Sequence, residues 1–256
     1  ELPVRLKTQV VPLTDSFGRV LAEDIHAKMP LPPFDRSPFD GYAFRGEDTQ
    51  GATRENPAVL TITEELPAGR VPTMEVGPGQ AAKVLTGSPI PAGANATIKY
   101  EETEFTDTEV KISAPVEPNT NIVRAGEDIP AGELIGRAGS VVTAPVMGLL
   151  AAQGFREVKV YSKPVITLIN TGAELVEVGN PLPPARIYNS NFYTLKGYLT
   201  SLGADTINGG IVEDDPDKIS KRIYDSLSAS DMIITTGGAS VGDYDWAVTA
   251  TQRLGA

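Results

Sequence analysis

The sequence predicts a multidomain α/β and β protein in which a parallel, doubly wound α/β domain follows a β-rich region. Three observations carry this. From Val158 onward, strand-like and helix-like runs alternate with short loops between them, the order that builds a parallel sheet with right-handed crossovers. The run Asp231–Thr235 passes straight into Gly237-Gly238, Ser240 and Gly242, which reads as a buried strand, a glycine loop and a following helix. Before Val158, turn signals recur without gathering into one linker, within totals of 25 Gly and 21 Pro in 256 residues. That favours many short strands over disorder.

Composition excludes several function classes. Lys and Arg number 22 against 33 Asp and Glu, a formal charge of −11, which argues against sequence-independent nucleic-acid binding through phosphate neutralisation. The absence of cysteine excludes disulfides, thiolate metal sites and cysteine nucleophiles. A single histidine, His26, leaves no scope for a multi-histidine metal site. No apolar run is long enough to span a bilayer and no signal peptide precedes Glu1, so a soluble cytoplasmic protein with no membrane partner is expected.

Taken in order, Leu2–Val11 is extended in character. Leu13, Phe17, Val20 and Leu21 at roughly helical spacing predict a short amphipathic helix over Leu13–Ala22. Prolines stiffen Pro30–Ala43 into extended or polyproline form. Within it Asp40-Gly41 reads either as a hairpin turn or as part of a rigid loop presenting Asp40, Ser37 and Arg36 to a ligand. Strand-prone runs follow at Ala58–Thr63, Ala96–Tyr100 and Glu109–Ser113, in a small mostly-β domain ending near Asn121. Thr86–Gly93 is too dense in turn residues for a strand interior and reads as a loop. Ile122–Gly132 is a second glycine- and acid-rich loop, in which Asp128 is equally a cap for the turn before Pro130.

Pro145–Gly154 predicts a helix stopped by Gly154. Strands are expected at Val158–Tyr161, Val165–Ile169 and Asp205–Val212. Asn191–Leu202 predicts a helix closed by Gly203, with Tyr193, Leu195, Tyr198, Leu199 and Leu202 on its apolar side. Pro216–Leu227 predicts another, with Asp215 as its N-cap. Trp246–Leu254 predicts a last helix. The chain stops where a parallel sheet normally continues, so a fragment is expected.

The carboxylates then sort themselves. Asp214 is not needed as a cap, and Glu174, after the strand-end Thr171-Gly172, belongs to the same rim as Asp214, Asp243 and Asp245. Carboxylates crowded on one rim repel one another unless a cation relieves them. The rim therefore reads as a Mg2+-assisted site for an anionic ligand.

Five stretches carry a resemblance: Phe34–Ala43, Thr86–Pro91, Arg124–Ile129, Thr171–Leu175 and Gly237–Asp245. In this order they resemble the molybdopterin molybdenumtransferases, the MoeA family that also includes the gephyrin E domain. The first and last stretches are specific, and the resemblance covers essentially the whole chain. It implies an elongated homodimer with a split N-terminal domain from residues 1–40 and 122–157. Residues 41–121 would be an inserted β-rich lid, and 158–256 a domain of molybdopterin-binding type, with the family's C-terminal β-barrel missing. The implied site lies between the α/β domain of one subunit and the lid of the other.

The implied activity is the Mg2+- and molybdate-dependent cleavage of adenylylated molybdopterin, AMP leaving as molybdenum joins the dithiolene. Tungstate is an alternative substrate, and the molybdopterin adenylyltransferase and molybdoenzyme apoproteins are implied partners. Asp40, Asp128, Glu174, Asp214 and Asp245 would be the functional carboxylates, with Glu174, Asp214, Asp243 and Asp245 on the metal. Ser240 and the amides of Gly237 and Gly238 would hold phosphates, and Thr86 would be a lid contact. Arg36 and Arg124 are candidates for oxyanion binding, or else solvated surface arginines. One departure is Ala173, where the family usually has aspartate; Glu174 remains, so ligation is expected to survive with weaker metal affinity. Two other functions stand beside this one. An adenylyltransferase shares the α/β domain but not the split N-terminal region, and a gephyrin-like scaffold would have no need of the carboxylates.

Overall fold

The computed structural model describes residues 7–237. Its strands run β1 (Thr8–Pro12), β2 (Ile25–His26), β3 (Gly41–Phe44), β4 (Ala58–Leu66) and β5 (Gln80–Val84). They continue as β6 (Ala96–Lys99), β7 (Thr103–Phe105), β8 (Glu109–Ile112), β9 (Leu134–Gly136) and β10 (Glu157–Tyr161). The remaining strands are β11 (Val165–Thr171), β12 (Leu175–Val176), β13 (Ile187–Tyr188), β14 (Asp205–Val212) and β15 (Met232–Thr236). The α-helices among the described residues are α1 (Ala144–Ala152), α2 (Ser190–Ser201) and α3 (Pro216–Ser226), none long and apolar enough to cross a membrane. The chain divides into two compact units. One takes the chain up to Glu23, Ala138–Met147 and the chain from Arg156 on; the other takes Asp24–Arg137 and Gly148–Phe155.

The unit holding Asp24–Arg137 is built on a six-stranded sheet ordered β6-β3-β5-β4-β8-β7, antiparallel except for the β4–β5 pair. Successive side chains of a strand point to opposite faces, and β3 fills both. Tyr42 and Phe44 join a core with Leu60, Ile98 and Ile112, while Ala43 packs with Leu66, Val76 and Val84. The expected runs at 58, 96 and 109 are strands, but nothing in the sequence signals β5. Its Ala81 and Ala82, both fully buried, carry no strand signal alone yet fit between two neighbours. Asp40-Gly41 is not a hairpin turn. Gly41 opens β3, whose partners β5 and β6 are both distant in sequence. A Cβ there would stand 1.9 Å from the Ile98 carbonyl oxygen, so only glycine lets β3 close on β6. Fully buried Gln153, just past α1, accepts from the Lys28 and Met29 amides at 2.8 and 3.1 Å. It thereby fixes the backbone ahead of the proline-stiffened segment.

In the other unit β11 is flanked by β14 and β15, all parallel. Phe192, Leu195 and Leu199 of α2 pack with Ile166 and Leu168, and Ile219 and Ile223 of α3 pack with Ile169 and Val212. Helices thus pack against alternate residues of β11, hence its opposite faces, as a doubly wound sheet requires. Asp215 caps α3 as expected, accepting from the Asp217 and Lys218 amides. Gly203 closes α2 at φ +84°. The strand at 157–161 exists, yet it pairs antiparallel with β1 and not with the parallel sheet.

Two expectations fail. Leu13–Ala22 is not a helix: only Leu13–Asp15 makes a 3-10 turn, and Gly18 turns the chain at φ +73°. Val20 and Leu21 then bridge to Val141 and Val160, and the Leu21 amide donates to the Ser140 carbonyl, so long-range pairing overrides local spacing. On α2, Leu195 and Leu199 face inward as expected, but Tyr193 and Tyr198, with Leu202 just past the helix end, are exposed at 50%, 67% and 80%, and the inward stripe begins with Phe192. The expected helix at 246–254, and the residues Gly238, Ser240, Asp243 and Asp245, lie outside the described residues.

Candidate functional site

Three of the five motif stretches meet in the unit that holds Asp24–Arg137. Arg36 exchanges backbone bonds with Val123 at 3.0 and 3.1 Å, tying the first stretch to the start of the third. Ser37 and the 86–90 loop are cross-stitched by Ser37 N to Ser88 O (3.0 Å) and Gly87 N to Ser37 O (2.9 Å). The Ile90 amide donates to Asp35 O at 3.0 Å, and Leu31 pairs with Ile129. These loops have no regular strand of their own, so each supplies the backbone partners another lacks.

Asp40 stands on this junction. Its Oδ1 accepts from the Thr86 amide at 2.7 Å and the Thr86 hydroxyl at 2.8 Å. The amide first, then the hydroxyl, hold the Asp40 carboxyl below its usual range, because both favour the ionised form. Oδ2 has no hydrogen bond among the described residues. The Asp40 carbonyl accepts from the Tyr100 amide at 3.3 Å. The Tyr100 hydroxyl is buried without a partner among the described residues, and burial above all pushes it up to about 12.

The other predicted residues of this unit have distinct surroundings. Arg36 is half-buried, with no ion pair among the described residues. The Arg124 guanidinium bonds Asp35 Oδ2 at 2.5 Å and also Asn119 Oδ1. Asp128 is exposed, and its amide donates to Leu31 O at 3.0 Å. It does not cap its turn; Glu127 closes that loop by accepting from the Arg124 amide at 2.9 Å. Ser37 is buried and donates to the Phe39 carbonyl at 2.6 Å, which corrects its reading as a residue offered to a ligand.

In the parallel-sheet unit, a second cluster forms at the carboxyl end of β11. Asp214 Oδ2 accepts from the Ala173 amide at 3.2 Å, which sets Asp214 beside the Thr171–Leu175 stretch. Asp214 and Glu174 are both exposed. The Glu174 carboxylate folds over Gly172 so closely that a Cβ there would stand 2.7 Å from Oε2. Gly237 turns at φ +88°, and its Cβ would stand 2.3 Å from the Thr171 carbonyl oxygen, so the bend after β15 needs glycine. Beneath runs a buried polar chain: Asn170 Nδ2 donates to Thr236 Oγ1 at 2.5 Å, and Asn189 Nδ2 donates to Asn170 Oδ1 at 3.1 Å. Asn189 in turn accepts from the Phe192 amide at the start of α2.

Sequence reasoning missed Asp35, Asn170 and Asn189. Asp35 and Asn170 have no local signal, because each acts on a segment remote in the chain; Asn189 has one, as an asparagine three residues before the Phe192 amide that it caps. Among the described residues no group of three or more Asp, Glu or His side chains is gathered to hold a metal. The exposed oxygens of Glu174 and Asp214 are nevertheless the hard donors Mg2+ takes.

Fold and site together define the class: a multidomain α/β protein with a glycine bend and carboxylates at the mouth of a parallel sheet. Residues 1–154 match the family model described as the MoeA N-terminal region (domain I and II), and residues 167–256 match the probable molybdopterin binding domain. The chain belongs to the MoeA family. It is 39% identical over 254 residues to a molybdopterin molybdenumtransferase of Bacillus subtilis, covering 98% of this chain and 59% of that one. It is 39% identical over 235 residues to molybdopterin molybdenumtransferase 2 of Mycobacterium tuberculosis, covering 92% and 58%. A molybdopterin biosynthesis MoeA protein of Pyrococcus horikoshii superposes with a TM-score of 0.90 at 33% identity, over 98% of this chain and 63% of that one. The chain thus spans less than two thirds of the length of these relatives.

Proposed function

We propose that this chain carries active-site machinery of a molybdenum-inserting transferase. Adenylylated molybdopterin is cleaved, AMP leaves, and molybdenum from molybdate joins the dithiolene. The relatives named molybdopterin molybdenumtransferases support the reaction class. The observation that carries the chemistry is the clamp of Asp40 by Thr86. With Oδ1 occupied and the carboxyl kept ionised, Oδ2 is left to orient water or an oxyanion at the phosphoanhydride. Arg124 is spent on Asp35 and Asn119, so Arg36 is the better candidate to hold the oxyanion. Asp128, exposed on the same junction, faces the ligand from the third loop.

Glu174 and Asp214, with Asp243 and Asp245, are the proposed Mg2+ ligands, and Ser240 with the Gly237 and Gly238 amides the phosphate cradle. Bound Mg2+ supplies positive charge against the phosphate oxygens. In this reading residues 41–121 are a lid, 1–40 with 122–157 one split domain, and 158–256 the pterin-nucleotide domain. The pairings of β2 with β9 and of Leu31 with Ile129 favour the split domain. A cytoplasmic homodimer with its site shared between copies belongs to the same reading, favoured by the exposed Tyr193 and Tyr198 on α2 and Leu202 at its end. Molybdate and tungstate, alike in size and charge, are separated by competition.

The test is AMP release by the intact protein given adenylylated molybdopterin, Mg2+ and molybdate. The double variant Asp40→Asn, Glu174→Gln loses about 100-fold or more in turnover, as when aimed polar groups are removed from a reacting centre. Parent-like AMP release from that variant rules the reading out. Adenylylation of molybdopterin from ATP by the parent would favour an adenylyltransferase instead.

A further inference from the structure

The residue at the centre of the three-loop junction is not one of the family-type carboxylates but Asp35. Its Oδ1 accepts from the Ala125 amide at 2.8 Å, its Oδ2 receives Arg124 Nη1 at 2.5 Å, and its carbonyl accepts from the Ile90 amide at 3.0 Å. One residue of the first loop thereby holds the third loop by its side chain and the second by its backbone. The neighbouring residues repeat the pattern, Arg36 bonding Val123 and Ser37 bonding Gly87 and Ser88. The second loop carries Thr86, which clamps Asp40, and the third carries Asp128.

We infer that Asp35 is a positioning residue that sets the Thr86 and Asp128 loops in register around Asp40, its side chain capturing Arg124 and the Ala125 amide while its carbonyl holds the Ile90 amide. The inference deepens the transferase reading and rests on it for its kinetic consequence, though not for its structural one. Burial alone would raise the Asp35 carboxyl, but the Ala125 amide and Arg124 outweigh it and keep it below its usual range. It is therefore ionised whenever the enzyme works near neutrality. Asp35 and Arg124 keep 36% and 44% of their side-chain surface exposed, so the pair adds little to global stability. A residue whose removal leaves stability nearly intact yet loosens Asp40 is distinguishable from a purely structural one. The same capture separates the two arginines: Arg124 is held within the protein, and Arg36 remains for the ligand.

The experiment compares Asp35→Ala, Asp35→Asn and Asp40→Asn in the intact protein. It reads turnover, thermal midpoint and amide hydrogen exchange at Ala125 and Thr86. Asp35→Ala is expected to lower kcat about tenfold with KM within about threefold, the signature of lost orientation, not lost binding. Its thermal midpoint stays close to the parent's, and exchange quickens at Ala125 and, through the loop contacts, at Thr86. Asp35→Asn, which keeps an acceptor for the Ala125 amide, recovers most of kcat and of the Thr86 protection. Unchanged Thr86 exchange in Asp35→Ala overturns the inference whatever the kinetics show. So does a kcat that falls only in step with the folded fraction. If Asp40→Asn itself turns over like the parent, the transferase reading fails, and the Thr86 exchange still decides the role of Asp35.

Discussion

The Asp40 carboxylate is tuned by one neighbour, and this gives the site a titration with a definite sign. Thr86 donates to it from both amide and hydroxyl, so its folded-state pKa lies below the unfolded one. The stabilisation is fully present above the unfolded aspartate value of about 3.9 and is lost as pH falls through the lower folded value. Thr86→Val removes the hydroxyl and keeps the amide, the larger of the two influences. The Asp40 midpoint, followed by the carboxyl carbon shift in an NMR titration, therefore rises without reaching the ordinary value. A midpoint that does not move would show that the hydroxyl bond is absent in solution. In the sequence only the family resemblance brings Asp40 and Thr86 to one site, and no local pattern signals the bonds between them. Asp35 shows why: its three partners lie 55 to 90 positions away, beyond any local periodicity.

At the scale of elements, legibility followed the range of the forces. Helix α3 was predicted with its cap because Asp215-Pro216 is a local signal, and the Asp215 side chain does accept from Asp217 and Lys218 at 2.8 and 3.2 Å. Asp215→Ala leaves those first-turn amides without their acceptor and is expected to cost about 0.5–2 kcal/mol. Urea unfolding of the intact protein, followed through the parallel-sheet unit, checks this. A midpoint identical to the parent's would mean the cap contributes nothing. Where a distant partner decides, local signals misled. Leu13–Ala22 has helical spacing but gives its amides to Ser140 and Val142, and Asp40-Gly41 has hairpin chemistry but opens a central strand. The alanines of β5 gave no signal at all, since their value lies in being small between two strands. On α2 the expected Leu195 and Leu199 do face the sheet, but Phe192 and not Tyr193 or Tyr198 joins them, because β11 and not the helix chooses which residues it receives.

At the scale of the whole molecule, the sequence order foretold the parallel unit and its helices, but not that β4 and β5 would pair parallel within the other sheet. The proposed site raises a sharper question at this scale, because its carboxylates belong to two separate units. Asp40 and Asp128 sit on the loop junction of one unit, and Glu174 and Asp214 at the sheet mouth of the other. If each catalytic centre takes its junction from one copy and its sheet mouth from the second, two inactive variants should repair one another. Asp40→Asn homodimers lack the first half in both centres, and Glu174→Gln homodimers lack the second. Co-folded in equal amounts, half of the dimers are mixed, and each mixed dimer has one intact centre and one doubly defective one. AMP release should then return to about a quarter of the parent rate, the fraction that two-fold symmetry and random pairing impose. A centre built within a single copy gives no such repair, since every chain in the mixture still bears one lesion. Activity that stays at the level of the separate variants, with mixed dimers verified by differential tagging, therefore excludes the shared centre.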